Sequence, residues 1–309
     1  MQRQVSDSFP ADVQPTDSQA MASPLADSQT IDCSSDCSSD CLSEDDFLED
    51  DSHSTDSLSS LHSIVTLLND QEKDIRAFIL TATTVISPAL TPEIRMCLAS
   101  EAAPLWHATE SFMKDSDLPP PYWAFAWPGG QAVARYILDH PELFRHRVVI
   151  DVAAGGGVIA LAAAQVGAER VIGFDTDLFA LTAMEINAAL NGVEIEAYLG
   201  DALAPRALEE VWGARMSNVP VGGADVLPSD AVIVAGDVFY EQPMADRFFE
   251  WLKSRAAEGR TVISGDPGRT YARSGGLTPL ACYEVPTSRD VEASEIMSTM
   301  VWRWTGAEI

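Results

Sequence analysis

A glycine-rich turn in the middle of the chain is the clearest candidate for a ligand site. Residues 148–160 read VVIDVAAGGGVIA, so an apolar strand pattern runs through the turn into an apolar helix pattern. Glycines let a ligand approach the backbone, and the helix N-terminus behind them offers free N–H groups to an anion, such as a phosphate or an amino-acid carboxylate. We therefore expect Asp151, Gly155 and Gly157 to contact a cofactor.

The turn alone does not fix the cofactor class. The run from Gly155 through Gly157 to Ala160 also satisfies the fingerprint of nicotinamide- and flavin-binding proteins. The same glycines are also compatible with tight packing of a strand against a helix and no ligand at all. All three interpretations stay open at this point.

Acidic residues follow the next two strand patterns. Asp175 ends the second strand, 18 residues after Gly157, where a carboxylate can accept hydrogen bonds from both ribose hydroxyls of an adenosine. Asp177 directly precedes the apolar run 178–190 and is expected to cap that helix. Asp201 follows the third strand, where it either contacts an adenine amino group or is an ordinary loop aspartate.

A second buried strand pattern carries two more candidates. Residues 232–241 read VIVAGDVFYE, so the strand leads directly to Asp237 and Tyr240. Ligand crevices of parallel sheets lie at the carboxyl ends of the strands. We therefore expect both side chains to face the same crevice as the glycine turn.

The elements that must position these residues alternate between strand and helix. Strand patterns at 148–153, 170–175, 196–200, 231–236 and 261–265 are separated by helical patterns at 158–166, 178–190 and 244–257, and by a variable region around 203–212. Such alternation predicts a parallel α/β sheet with helices on both faces. Two further strand patterns, 280–285 and 299–304, predict an antiparallel edge. This is the Rossmann-like, seven-stranded layout of class I methyltransferases.

The N-terminal part of the chain divides into two regions. Residues 1–70 contain fifteen acidic residues and one basic residue, Arg3, and are rich in serine, so we predict a disordered tail. Residues 71–309 form the predicted folded domain, with helices and a cofactor-covering segment at 71–130 and the catalytic core at 131–309. One helix is predicted over 75–86, and a second begins at Thr91 and passes through Leu98.

Charge and cysteine usage limit the function classes. The net charge of −28 argues against nucleic acid as a partner, and favours either a basic target or simple solubility. Cys33, Cys37 and Cys41 lie in the Ser/Asp-rich tail without the paired spacing of zinc ligands, so no metal is expected. The most apolar stretch, 148–168, is interrupted by Asp151 and by three consecutive glycines, and the N-terminus lacks a basic import pattern. We expect a cytoplasmic monomer without a membrane span.

Three segments together identify a family resemblance. They are PYWAFAWPGG at 121–130, the Asp-x-x-Tyr unit from Asp237 to Tyr240, and GDPGR at 265–269. With them, residues 75–304 resemble the lysine methyltransferases that modify the β-subunit of electron-transfer flavoprotein. One position departs from the pattern: Gly156 stands where relatives often carry serine or cysteine.

The resemblance implies S-adenosylmethionine as cofactor and a lysine of electron-transfer flavoprotein β-subunit as acceptor. It implies cofactor contacts from Trp127, Gly155, Gly157, Asp175, Asp201 and Ala235. It places Asp237 and Tyr240 beside the acceptor lysine, where Tyr240, Trp123 or Trp127 would form an aromatic wall or simply pack in the core. Relatives in organelle-bearing cells act in mitochondria.

Four alternatives remain. Two keep the methyltransferase but change the acceptor to another protein, such as a ribosomal protein, or to a small-molecule amine. A third is a dinucleotide-dependent oxidoreductase, and the fourth is a non-catalytic module whose acidic tail recruits a basic partner.

Overall fold

We describe the protein from a computed structural model. The structure describes residues 73–100, 120–214, 227–273, 275–289 and 291–305. The predicted acidic tail, 1–70, lies outside these ranges. The predicted boundary at 70/71 is likewise not among the described residues.

The centre of the fold is a sheet of seven strands. They are β3 (Val148–Val152), β4 (Arg170–Asp175), β5 (Glu196–Leu199), β6 (Val232–Ala235), β7 (Thr261–Asp266), β8 (Leu277–Pro286) and β9 (Ile296–Trp304). Their order is β5-β4-β3-β6-β7-β9-β8. The strands from β5 to β7 are parallel, and β9 runs antiparallel to both β7 and β8. The predicted class I methyltransferase sheet with its antiparallel edge is confirmed.

Helices cover both faces of this sheet. They are α2 (Pro128–Asp139), α3 (Val158–Gln165), α4 (Leu178–Asn191), α5 (Ala207–Ala214) and α6 (Met244–Ala257). Along β3, Val149 packs into a core with α2 and α3, while Val148, Ile150 and Val152 pack into a second core with α5 and α6. This alternation follows from the two-residue period of a strand. Each such buried aliphatic side chain contributes about 1.5–3 kcal/mol.

The segment before the sheet differs from the prediction. Residues 73–82 are helical (α1), but 84–86 form strand β1 (Thr84–Ile86) rather than the end of that helix. The predicted second helix from Thr91 through Leu98 is wrong, because Met96–Leu98 form strand β2, antiparallel to β1. All three β2 side chains are buried. Tertiary packing therefore overrides the local helix-start signal.

Helix α2 starts at the end of β7 with almost no space between them. Trp127 is its N-cap and Pro128 its first residue. A Cβ atom added to Gly129 would overlap the carbonyl oxygen of Gly265, and one added to Gly265 would overlap the carbonyl oxygen of Gly129. The helix N-terminus thereby reaches the carboxyl edge of the sheet, where the candidate site lies.

Candidate functional site

A cavity of about 650 Å³ opens at the carboxyl ends of β3, β4 and β6. Its volume falls within the range of about 300–1,000 Å³ that small-molecule and cofactor sites occupy. The lining combines backbone of the glycine turn, aromatic side chains and carboxylates: Met96, Pro120, Tyr122, Trp123, Phe125, Trp127, Gly130, Asp151, residues 153–159, residues 175–177, Ala180, residues 236–238, Tyr240, Glu241, Met244 and Arg269.

The glycine turn has the backbone geometry that its sequence predicts. Gly155 and Gly157 have φ values of 54° and 84°, and Gly157 is the N-cap of α3. Left-handed φ values of this kind favour glycine. Gly156 has a different reason: a Cβ atom there would lie 2.6 Å from the carbonyl oxygen of Trp123. In this chain, serine or cysteine at position 156 would require the Trp123 backbone to move.

Asp175 lies where the sequence predicts, at the end of β4 beside the glycine turn. Its carboxylate accepts hydrogen bonds from the N–H groups of Gly155 at 2.8 Å and Asp177 at 3.0 Å. Burial raises its pKa, and these hydrogen bonds oppose the rise. Asp177 caps α4 as expected, accepting from the N–H of Phe179 at 2.9 Å. Burial raises the pKa of Asp177 to about 6.

Asp151 is the most deeply buried acid of the cavity, with 1% of its surface exposed. Its Oδ2 accepts a hydrogen bond from the N–H of Ala160 at 3.1 Å, while its Oδ1 has no hydrogen-bond partner among the described residues. Burial raises its pKa to about 8. An acid with an unsatisfied oxygen beside the cavity is suited to receive a polar group of a ligand.

Asp237 joins the cavity to the N-terminus of α2. Its Oδ2 accepts from the N–H of Gly130 at 2.9 Å, and its Oδ1 pairs with the guanidinium of Arg269 at 2.8 Å. Burial raises the pKa of Asp237 to about 6, although the positive charge of Arg269 opposes this rise. The carboxylate is thus ionised at neutral pH and already has two partners.

Aromatic side chains form one wall of the cavity. The Tyr240 and Tyr122 rings lie 5.3 Å apart between centroids, and the Tyr122 and Trp127 rings lie 5.9 Å apart. Trp127 donates its Nε1–H to the carbonyl of Tyr122 at 2.9 Å. Burial raises the pKa of Tyr240, so its hydroxyl remains protonated at neutral pH. Tyr240 keeps 37% of its surface exposed and is accessible at the site.

Two predicted contact residues are placed differently. Asp201 does not belong to the residues that line this cavity; its carboxylate pairs with Arg247 at 2.5 Å and accepts the N–H of Leu203 at 2.9 Å. Ala235 is fully buried between β3 and β7, and the next residue, Gly236, lines the cavity instead. The other seven predicted residues line the cavity together: Trp127, Asp151, Gly155, Gly157, Asp175, Asp237 and Tyr240.

Sequence reasoning missed several contributors. Arg269 lies in the GDPGR segment, but no role for it followed from the pattern. Glu292, which binds Arg269, lies between the last two strands without any local signal. Gly130 contributes only its backbone N–H, which no side-chain pattern can indicate.

The charge of the cavity bears on the ligand class. Five acidic residues line it, of which Asp151 is largely protonated at neutral pH, whereas its one lining guanidinium, Arg269, is paired with Asp237 and Glu292. A dinucleotide would bring a doubly charged pyrophosphate against these carboxylates, while a sulfonium cofactor brings a positive charge toward them. The electrostatics therefore favour the sulfonium cofactor over the dinucleotide alternative.

The described residues provide neither a helix that could span a membrane nor a cluster of metal ligands. None of their helices has the length and apolar character that a membrane crossing requires. Within the same ranges, no group of three or more histidine, cysteine or acidic side chains is arranged to hold a metal ion.

Comparisons with known proteins give the family. Electron transfer flavoprotein beta subunit lysine methyltransferase from Danio rerio is 34% identical over 239 residues, covering 75% of this chain and 84% of the relative. The protein of the same name from Homo sapiens is 32% identical over 241 residues, covering 75% and 82%. The family model for ribosomal protein L11 methyltransferase (PrmA) matches residues 136–211.

A solved structure, ribosomal protein L11 methylase from Lactobacillus delbrueckii subsp. bulgaricus, aligns with a TM-score of 0.33 and 20% identity, covering 56% of this chain and 76% of that one. The sequence relatives and the sheet order are sufficient: this is an S-adenosylmethionine-dependent methyltransferase. The chain belongs to the family of electron transfer flavoprotein beta subunit lysine methyltransferases.

Proposed function

We propose that this enzyme transfers methyl groups from S-adenosylmethionine to lysine side chains of electron-transfer flavoprotein β-subunit. The names of relatives that share three quarters of this chain support the acceptor. The observation that carries the proposal is that Asp237 and Tyr240 line the same cavity as the glycine turn and Asp175. One cavity thus holds the groups suited to the cofactor and those suited to an amine.

The residues present fit the cofactor. Asp175 offers a carboxylate for the two ribose hydroxyls, and the N-terminus of α3 at Gly157 offers N–H groups to the carboxylate of the methionine moiety. Asp151 has a free oxygen beside the cavity for a donor such as the amino group. In this proposal Trp127 covers the cofactor. Gly236 takes the cofactor contact expected of Ala235, and Asp201, which is paired with Arg247, makes no direct contact in this proposal.

On the acceptor side, the enzyme must hold an amine in line with a methyl group. S-adenosylmethionine supplies an electrophilic methyl group on a sulfonium, so positioning the amine accounts for most of the protein's task. Tyr240 and Tyr122 present ring faces and edges that contact an ammonium by cation–π attraction, worth about 0.5–2 kcal/mol. Asp237 accepts a hydrogen bond from the amine and fixes its direction.

The proposal keeps the predicted organisation of the chain. Residues 71–130 form the segment that covers the cofactor, and 131–309 form the catalytic core. Met96, Trp123 and Trp127 from the first part and Asp175 from the second line one cavity, which supports this division. We also propose that the enzyme is a monomer and acts in the cytoplasm. Size-exclusion chromatography tests the oligomeric state, and cell fractionation tests the compartment.

Methyl transfer to purified electron-transfer flavoprotein tests the function. We would follow label from radioactive S-adenosylmethionine with wild type, Asp237→Asn and Asp230→Asn, the last removing an exposed carboxylate away from the cavity. We expect β-subunit lysines to be labelled by wild type and Asp230→Asn, and at least tenfold less by Asp237→Asn. Cofactor binding without any label on the β-subunit would overturn this acceptor, and label on a ribosomal protein would replace it.

A further inference from the structure

Asp237 is the cavity end of a chain of buried charges. The guanidinium of Arg269 contacts Asp237 at 2.8 Å, and the same group binds Glu292 through two hydrogen bonds of 2.6 and 3.0 Å. The three side chains are 9%, 17% and 5% exposed for Asp237, Arg269 and Glu292. Two parallel hydrogen bonds between an arginine and a carboxylate fix the arginine in orientation as well as in position.

The chain of charges joins elements that are distant in sequence. Asp237 follows β6, Arg269 follows β7, and Glu292 lies between β8 and β9. Asp266, the last residue of β7, accepts the N–H groups of Gly268 and Arg269 at 2.7 and 2.8 Å. Arg269 is therefore fixed at its backbone by Asp266 and at its side chain by Glu292.

The location of Arg269 matters for the proton of the acceptor amine. A lysine amine attacks a methyl group only in its neutral form, and a nearby buried carboxylate without a partner stabilises the charged form. A guanidinium beside that carboxylate cancels much of this effect. Trp127 lies against the same guanidinium, with its ring centroid 5.7 Å from the Arg269 Cζ, so the ion pair is shielded from water on that side.

Other charged groups near Asp237 also influence whether a bound ammonium keeps its proton. Asp237 is faced by the N–H of Gly130 at the start of α2, by Asp266 at the end of β7 and by Arg269. The remaining ionisable groups of the cavity are Asp151, Asp175, Asp177, Glu241, Tyr122 and Tyr240. The ionised groups among them are all negative, so Arg269 is the one lining residue that favours loss of a proton from a bound ammonium.

We propose that Arg269 and Glu292 are positioning residues of the methyl transfer. Arg269 keeps Asp237 fixed and neutralised, and Glu292 keeps Arg269 in place, so the acceptor ammonium releases its proton to water beside Asp237. The neutral nitrogen then forms its bond to the methyl carbon as the methyl–sulfur bond breaks, and the thioether product leaves. This inference rests on the proposed function, because it requires an amine acceptor. It gives Glu292, which lies between β8 and β9, an indirect role in placing the acceptor.

A purely structural role for the ion pair is the alternative, and the chain offers a matched control. Arg170 and Glu196 also form two hydrogen bonds, of 2.8 and 2.7 Å, with side chains 15% and 16% exposed. Arg170 also lies over an aromatic ring, 4.7 Å from the centroid of Trp212. Neither residue lines the cavity. Glu196→Gln therefore reports what the loss of such a pair costs without any effect on the site.

The experiment compares wild type, Arg269→Gln, Arg269→Lys, Glu292→Gln and Glu196→Gln. For each we would measure melting temperature, Kd for S-adenosylmethionine, and kcat and KM on the flavoprotein from pH 7 to 10. For Arg269→Gln we expect kcat at pH 7.5 to fall about tenfold and the acid limb of the profile to move up by about one pH unit, since one pKa unit is a tenfold change.

The conservative variants separate charge from geometry. Arg269→Lys keeps the positive charge but loses the two parallel hydrogen bonds to Glu292. Glu292→Gln weakens those two hydrogen bonds. We expect both to keep the wild-type pH limb while kcat falls severalfold, with Kd for the cofactor within about twofold of wild type.

Wild-type kcat and pH limb in Arg269→Gln would overturn the inference. If Arg269→Gln does not fold, full kcat in both Arg269→Lys and Glu292→Gln would overturn it equally. If kcat and melting temperature fall no further in Arg269→Gln and Glu292→Gln than in Glu196→Gln, the Arg269–Glu292 pair contributes to stability alone. The absence of label with wild type would overturn the proposed function instead, so the two failures are distinguishable.

Discussion

The side-chain amide of Asn187 donates a hydrogen bond of 2.9 Å to the carbonyl of Gly156. Its carbonyl oxygen accepts the N–H of Cys97 at 2.8 Å. One helical turn later, the side chain of Asn191 binds both the N–H and the carbonyl of Arg95, at 3.0 and 2.6 Å. Two asparagines on one face of α4 thus bind alternate residues of the β2 segment, as a neighbouring strand would.

Replacing Asn187 tests whether this contact supports the cofactor site. Asn187→Ala leaves a buried carbonyl at Gly156 and a buried N–H at Cys97 without partners, and each such group costs about 1–3 kcal/mol. We expect urea denaturation to show a loss of about 2–6 kcal/mol for the two groups together, and Kd for S-adenosylmethionine to rise about tenfold. Asn191→Ala, which does not contact the glycine turn, is the control: unchanged Kd in both variants would contradict the prediction.

The Gly156 contact predicts a cost for any side chain at that position. In Gly156→Ala the new methyl group would meet the carbonyl oxygen of Trp123 at 2.6 Å, and such overpacking costs about 1–3 kcal/mol. Melting temperature and cofactor affinity should both fall. Gly200→Ala is the matched change, because nothing lies within 4 Å of a Cβ atom there. Equal stability of the two variants would show that the Trp123 backbone yields freely.

The buried carboxyl of Asp151 predicts a pH-dependent stability. Its pKa rises from 3.8 to about 8 on folding, so the folded protein binds more protons than the unfolded chain between these values. Stability attributable to Asp151 therefore falls as pH rises through this window. Asp151→Asn removes this dependence. From pH 5 to pH 8 we expect its free energy of unfolding, relative to wild type, to increase by at least about 1 kcal/mol.

Urea denaturation of both proteins at the two pH values measures this difference. Comparing the two proteins cancels the contributions of the other acids. A relative stability that stays constant with pH would mean that Asp151 is ionised in the folded protein throughout.

Two substitutions at Tyr240 distinguish a role of its aromatic ring from a role of its hydroxyl group. If its ring contacts the acceptor ammonium, Tyr240→Phe keeps KM for the protein substrate within about twofold, while Tyr240→Ala raises it about tenfold, since cation–π contacts are worth about 0.5–2 kcal/mol. Steady-state methylation at varied flavoprotein concentration measures both values. An equal loss in the two variants would assign the effect to the hydroxyl.

The parts of the fold that depend on local pattern were predictable. The strand, glycine turn and helix from Val148 to Gln165 follow each other without a gap, so period and turn chemistry suffice to place them. Helix α6 was predicted with the bounds observed, Met244–Ala257. Asp177 as a helix cap needs only its neighbours. Alternation and right-handed crossovers then predict a parallel sheet with helices on both faces, but the order of its strands is known only from the structure.

The parts that depend on distant partners were not predictable. The segment from Thr91 to Leu98 carries a local helix signal, but β2 forms because β1 and two asparagines of α4 bind it. Arg269 lies 32 positions from Asp237 and 23 from Glu292, so no periodicity brings them together. Asp201 resembled a cofactor contact at a strand end, and only the fold shows Arg247 beside it.

The mutual contact of Gly129 and Gly265 has a consequence for how such enzymes diverge. Neither residue can gain a side chain while the other keeps its place, so each position restricts substitution at the other. A lineage that replaced either one would first have to lift α2 from the sheet, and would withdraw with it the Gly130 N–H that Asp237 accepts.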